Sequence, residues 1–157
     1  MATRDGLGVV IGISGDSGSG KDTLARALGA LIGDEQTTQL SGDDYHLAER
    51  HDPLWDAVTH LDPAANDLAR LAADVAALAR GTEVWGRPYD HGTGSFGPVL
   101  RHAPRPFVIV NGLHTLYTAE LRAELDLRVH LDTNEDLRVR LKMRRDVQQR
   151  NHTRAEL

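Results

Sequence analysis

The stretch from Val9 to Thr23, VVIGISGDSGSGKDT, constrains this chain more than any other. An apolar, β-branched run leads into a glycine-rich turn, and a lysine follows where a helix should begin. The spacing of Gly15, Gly20 and Lys21 fits the phosphate-binding pattern G-x-x-x-x-G-K. Glycines suit such a loop because the backbone can approach an anion closely and turn several N–H groups onto it. Lys21 adds a mobile positive charge. The candidate nucleotide-binding residues are therefore Gly15, Asp16, Ser17, Gly18, Ser19, Gly20, Lys21, Asp22 and Thr23. One position departs from the pattern: the residue after the lysine usually carries a hydroxyl for magnesium, and here it is Asp22. A carboxylate beside a triphosphate repels it unless a divalent cation lies between them, which makes Asp22 a candidate magnesium ligand. Thr23 cannot replace it, since the next helical side chain points about 100° away.

Composition narrows the class of partner. The chain has 157 residues, 40% of them apolar, enough for one domain with its own core, and it has no cysteine. The N-terminal MATRDG has no apolar signal core, and no run reaches the roughly 18 apolar residues of a membrane span, so a cytoplasmic setting and no membrane partner are expected. A net charge of −5 argues against a nucleic-acid partner, because phosphate backbones are held by clustered Lys and Arg. Arg138 to Arg154 is nonetheless a basic run, readable as a solvated helix face or as a phosphate-binding surface.

Further along, Thr37–Leu40 reads as a second strand delivering Gly42-Asp43-Asp44-Tyr45-His46 at its carboxyl end, where open α/β sheets bind ligands. Asp62-Pro63 resembles a helix start, and Leu68, Leu71, Ala72, Val75, Leu78 and Ala79 form one apolar stripe up to Gly81. The segment between Glu83 and Val99 is dense in Gly and Pro and reads as a hairpin or irregular excursion. Pro106–Val110 and Leu125–Leu131 are further strands, the first ending in Asn111-Gly112-Leu113-His114, the second preceding a helix capped by Thr133. This succession implies an α/β fold: a single three-layer α/β/α domain over 1–157, of the P-loop NTPase type, with a mainly parallel sheet.

Taken together, GDSGSGK, GDDYH, THLDPAAND, RPYDHGTG, IVNGLH, LDLRVHLD and KMRRDVQQRNH resemble the phosphoribulokinase and uridine kinase family, its phosphoribulokinase branch in particular. The resemblance implies an ATP- and Mg2+-dependent kinase with a small-molecule alcohol acceptor, either a sugar phosphate or a nucleoside. It makes Asp43 the general base, and Lys21, Lys142, Arg145 and Asp146 further catalytic candidates. His46, Arg50, Arg145 and Arg150 match sugar-phosphate contacts, while Tyr89 and His91 fall in the segment that shapes the acceptor site. Lys142, Arg145 and Asp146 are spaced to share one helix face. A homodimer is a further family expectation, as is a C-terminal lid region that this stretch does not include.

Three residues or segments depart from the family pattern: Asp22 after the lysine, Asn111 where an acid precedes Gly112, and Arg150-Asn151-His152 in place of RGH. Two readings of the first pair stay open. The carboxylate lost at Asn111 is transposed to Asp22, keeping a magnesium site built from both residues. Alternatively, metal binding is weakened and the chain is a nucleotide-binding or regulatory protein without transfer activity.

Overall fold

A computed structural model describes residues 8–149; for Asp56, Lys142 and residues 144–149 the description is limited to the backbone. Strand β1 (Val9–Gly15) leads through the glycine loop into helix α1 (Lys21–Ile32). Gly18 and Gly20 adopt φ of 84° and 92°, the left-handed region in which a Cβ is strained. Strand β2 (Thr37–Ser41) runs into a short 3-10 turn over Gly42–Tyr45, where the Ser41 hydroxyl accepts the Asp43 N–H. Helix α2 (Pro53–Ala57) is a single capped turn, and α3 (Leu68–Ala79) is the longer helix packed on the sheet.

All six residues of the apolar stripe on α3 are buried, as the sequence spacing requires. Its start differs from the sequence expectation. Asp62 caps only a 3-10 turn over Pro63–Ala65, and the helix begins later, with the Asp67 carboxylate accepting the Arg70 N–H. Two Asp caps lie five residues apart, and the chain uses both.

The excursion resolves into two small antiparallel ribbons. Strand β3 (Val84–Gly86) pairs with β6 (Leu100–His102), and β4 (Tyr89–Asp90) pairs with β5 (Ser95–Phe96). The chain then returns to the main sheet as β7 (Phe107–Gly112), followed by α4 (Ala119–Glu124), β8 (Leu127–Leu131) and α5 (Glu135–Gln149). The expected Thr133 cap is not what starts α5: Asn134 accepts the Asp136 N–H, and the Thr133 hydroxyl donates to the Ser19 carbonyl of the glycine loop. Thr133 thus ties the start of the last helix to the phosphate loop.

The main sheet has order β2-β7-β1-β8, and every neighbouring pair is parallel. Alternation of side chains along these strands builds two core layers. Val10, Val108 and Val110 pack with α3 and α4, while Ile11, Ile13 and Ile109 pack under α1. Gly12 faces the first layer, and a Cβ there would come within 2.4 Å of the Leu125 side chain. This is the α/β fold with a parallel sheet and helices on both faces. Among the described residues, no helix is long and apolar enough to cross a membrane.

Removing the Leu121 side chain, 0% exposed in the α3 and α4 layer, should cost about 2–5 kcal/mol as Leu121→Ala, read by urea unfolding. Leu31→Ala, at a position 84% exposed on α1, should stay within about 0.5 kcal/mol.

Candidate active site

Because the strands are parallel, the segments that follow β1, β2 and β7 emerge on one side of the sheet. The first of these is the phosphate loop. Lys21 is 6% exposed in the first turn of α1, and its ammonium lies 3.8 Å from an Asp22 oxygen. Ser19 is buried, with a hydroxyl that has no protein partner. Asp16 is exposed and ion-paired with Arg138 on α5, so a carboxylate beside the loop is neutralised. Thr23 is exposed, one residue round the helix. An orphaned buried hydroxyl, a buried lysine and two left-handed glycines fit a polyphosphate.

Alternation on β7 determines where Asn111 goes. Ile109 faces α1, so Asn111 two residues later faces the same helix, and its amide donates to the Asp22 carboxylate at 2.8 Å. The two departures from the family pattern are therefore in direct contact. Half of the Asp22 side chain is exposed, its orientation fixed by Asn111. Hard oxygen donors of this kind fit magnesium, which takes one or two protein carboxylates together with phosphate and water. No group of three or more potential metal ligands occurs among the described residues.

The turn after β2 carries the second half of the site. One Asp43 oxygen lies 2.7 Å from His91 Nε2. Burial alone would push the Asp43 carboxyl up, but the hydrogen bond from His91 and the positive influence of His91 and Lys21 outweigh it and hold it well below the ordinary carboxylate range. Asp44 faces the opposite influence: burial, joined by the neighbouring Asp43 charge, pushes it up to about 6 even though it accepts the Tyr89 N–H at 2.8 Å. Two adjacent carboxyls are thereby set apart, one firmly charged and one easily protonated.

Around Asp43 the rings of His46, Tyr89 and His91 meet edge to face, with His46 4.8 Å and His91 5.1 Å from Tyr89 between centroids. Trp55 and His60 add a stacked pair beside His46. Arg50 clamps the excursion: its guanidinium donates to the His91 carbonyl at 2.7 Å, and its N–H to the Gly94 carbonyl at 2.8 Å. It acts here on the loop that carries His91. A cleft of about 560 Å3 opens between Asp16 and Ser17, the β7 exit at Leu113 and His114, and α5 at Arg138 and Val139. This volume suits a small-molecule ligand.

The structure thus brings Lys21, Asp22 and Asn111 into one group, and Asp43, His46, Tyr89 and His91 into another. Lys142, Arg145 and Asp146 fall on α5 with their side chains outside the described part, and Arg150 lies outside the described residues. Sequence reasoning did not single out Asn66, whose carbonyl oxygen lies 2.7 Å from His46 Nδ1, nor the Arg138 contact with Asp16. Asn66 carried a signal only as part of THLDPAAND, and Arg138 only as the first member of a basic run.

Residues 10–157 match the Phosphoribulokinase / Uridine kinase family. The chain belongs to this family. It is 37% identical to the phosphoribulokinase of Synechocystis sp. over 153 residues, covering 98% of this chain and 46% of that protein. It is 32% identical to the uridine kinase of Chloroflexus aurantiacus over 150 residues, covering 92% of this chain and 71% of that protein. The fold is similar to that of the phosphoribulokinase from Rhodobacter spheroides, with a TM-score of 0.65, 16% identity and coverage of 79% and 50% of the two chains. A kinase provisionally assigned to fructose transport in Silicibacter sp. TM1040 gives a TM-score of 0.76 at 21% identity, with 94% and 76% covered. The chain spans less than half the length of the phosphoribulokinases it matches. The family is one of ATP-dependent phosphotransferases.

Asp44 keeps its proton to about pH 6 in the folded chain but only to about the ordinary carboxyl value of 3.8 when unfolded. Between these values the folded state binds more protons, so stability falls as pH rises. Asp44→Asn preserves an acceptor for the Tyr89 N–H, and urea unfolding from pH 4 to pH 6.5 should show that fall flattened.

Proposed function

We propose that this chain is an ATP-dependent kinase that transfers the γ-phosphate of ATP to a hydroxyl of a small sugar phosphate or nucleoside. The observation that carries the reading is Asp43: a half-buried, charged carboxylate, fixed by His91 and within electrostatic reach of the phosphate-loop lysine. The 37% identity to a phosphoribulokinase supports ribulose 5-phosphate as the first acceptor to test, while a uridine kinase at 32% keeps nucleosides in the panel.

In this reading the Gly15–Gly20 backbone and Lys21 hold the β and γ phosphates. Asp43 accepts a hydrogen bond from the acceptor hydroxyl in place of His91, and so points its oxygen at the γ-phosphorus. The new P–O bond forms as the bond to the ADP oxygen breaks, and the hydroxyl proton passes to Asp43. A carboxylate held this far below the ordinary range is a weak base, so its main contribution is orientation, with proton transfer late. Magnesium, held by Asp22 with Asn111 fixing that carboxylate, would neutralise phosphate charge. Lys142, Arg145 and Arg150 are assigned to transition-state and acceptor phosphate charge on the family pattern, as is Arg50, and Asp146 is carried as a further catalytic candidate. A cytoplasmic setting and a homodimer belong to the same proposal.

A second reading is favoured by one residue. Asn111 stands where the family pattern has an acid, which fits a nucleotide-binding protein with little transfer activity.

The test is magnesium-dependent ADP release across pentose phosphates and nucleosides. A working kinase should release ADP only with its acceptor, and Asp43→Asn should lower kcat about 10²–10⁴-fold with ATP binding retained. Tight ATP binding with no acceptor-dependent release overturns the kinase reading in favour of the second.

Asp22→Ala should weaken Mn2+ binding in the ATP complex by at least about tenfold, followed by electron paramagnetic resonance, because it removes the carboxylate. Asn111→Leu should weaken it less, because the carboxylate stays and only its orientation is lost.

A further inference from the structure

A small cavity adjoins the cleft beside the phosphate loop and shares Leu113 and His114 with it. Its volume is about 20 Å3, and its lining includes Asp43, His46, Asn66 and His114. One water needs roughly 10–15 Å3 on this measure, so the space admits a single oxygen. Two ring nitrogens from this lining, His46 Nε2 and His114 Nε2, are buried without a protein partner. His46 as a whole is only 8% exposed.

The protonation of these nitrogens follows from their surroundings. The Asn66 amide is oriented by its own donors: Nδ2 gives hydrogen bonds to the His60 carbonyl at 3.2 Å and the Asp62 carbonyl at 2.9 Å. Its Oδ1 must therefore be the atom 2.7 Å from His46 Nδ1, and since that oxygen only accepts, Nδ1 carries the proton. Burial pushes the His46 ring down despite the nearby Asp43 charge, which leaves it neutral and Nε2 a bare acceptor. His114 repeats the arrangement. Burial lowers it too, and its hydrogen bond to the His60 backbone favours a protonated, donating nitrogen there, so Nε2 is again the bare atom.

We propose that this cavity is a binding site for one neutral hydroxyl donor, with His46 and His114 as its two acceptors and Asn66 as the residue that sets its polarity. A water fits, since its two O–H groups match two bare nitrogens; so does an acceptor hydroxyl entering from the cleft. An anion does not fit. A phosphate would meet two lone pairs and the Asp43 carboxylate, so phosphate recognition belongs to the cationic side chains elsewhere in the cleft, and the floor reads hydroxyls. The inference rests on the proposed acceptor site, and it makes His46 a contact for the hydroxylated part of the acceptor.

Ring-15N histidine spectra of the full chain test it, with signals assigned from His46→Gln and His114→Gln. At neutral pH both rings should show a protonated Nδ1 and a bare Nε2, unchanged by inorganic phosphate. Asn66→Asp should charge the His46 ring at a pH where the parent ring is neutral, which a merely structural Asn66 would not do. Adding D-ribulose 5-phosphate with a non-hydrolysable ATP analogue then separates the two donors. A shift of His46 Nε2 identifies an acceptor hydroxyl, and an unchanged Nε2 identifies water, either one supporting the site. A protonated Nε2 on either ring, or Nε2 signals that move with phosphate, overturns it. None of these readouts needs turnover: bare nitrogens in a protein that transfers no phosphate would refute the kinase reading alone, and turnover with a protonated Nε2 would refute this one alone.

Discussion

The arrangement of the site depends on the parallel register of β1, β2 and β7. Ser14 lies level with Gly112, and Ser41 level with Asn111, so the three strands finish together at one edge of the sheet. Phosphate loop, carboxylate turn and histidine segment are contributed by residues far apart in sequence, and only this register makes them neighbours. The spacing of these groups is therefore a property of the sheet core, where Val10, Ile13, Val108 and Ile109 are fully buried. A slip of one residue in β7 would turn Asn111 away from α1 and leave Val110 or Gly112, neither with a polar side chain, opposite Asp22.

Local patterns made much of this visible beforehand. The loop from Gly15 to Lys21 is a contiguous motif, and its glycines adopt the backbone that only glycine takes easily. The α3 stripe is likewise a matter of period, and all six of its positions are buried. What failed was the placing of two helix starts. Asp62-Pro63 and Asp67 both satisfy the rules for a helix start, and the decision belongs to tertiary packing: Asn66 must be free to hold His46, so the helix starts after it. At the last helix Asn134 stands in the place expected of Thr133, whose hydroxyl is taken by the phosphate loop.

The contacts between distant segments were the least legible. Asn111 and Asp22 could be weighed together from the family pattern, but their hydrogen bond depends on strand parity and on the docking angle of α1. Nothing in the order of residues says that four histidines gather around one carboxylate, or which ring nitrogens carry protons. Those states are set by Asn66, by backbone carbonyls and by burial, through hydrogen bonds between residues up to 54 positions apart.

Arg50 joins these layers in a way that bears on timing. One guanidinium holds the carbonyl of His91, and the ring of the same histidine holds Asp43. In the proposed kinase, a ligand anion that drew Arg50 toward itself would loosen the peptide beneath His91 and free the carboxylate on the other side of the ring. Ligand capture and release of the carboxylate oxygen would then be two ends of a single mechanical linkage, a latch opened by the charge of the ligand itself.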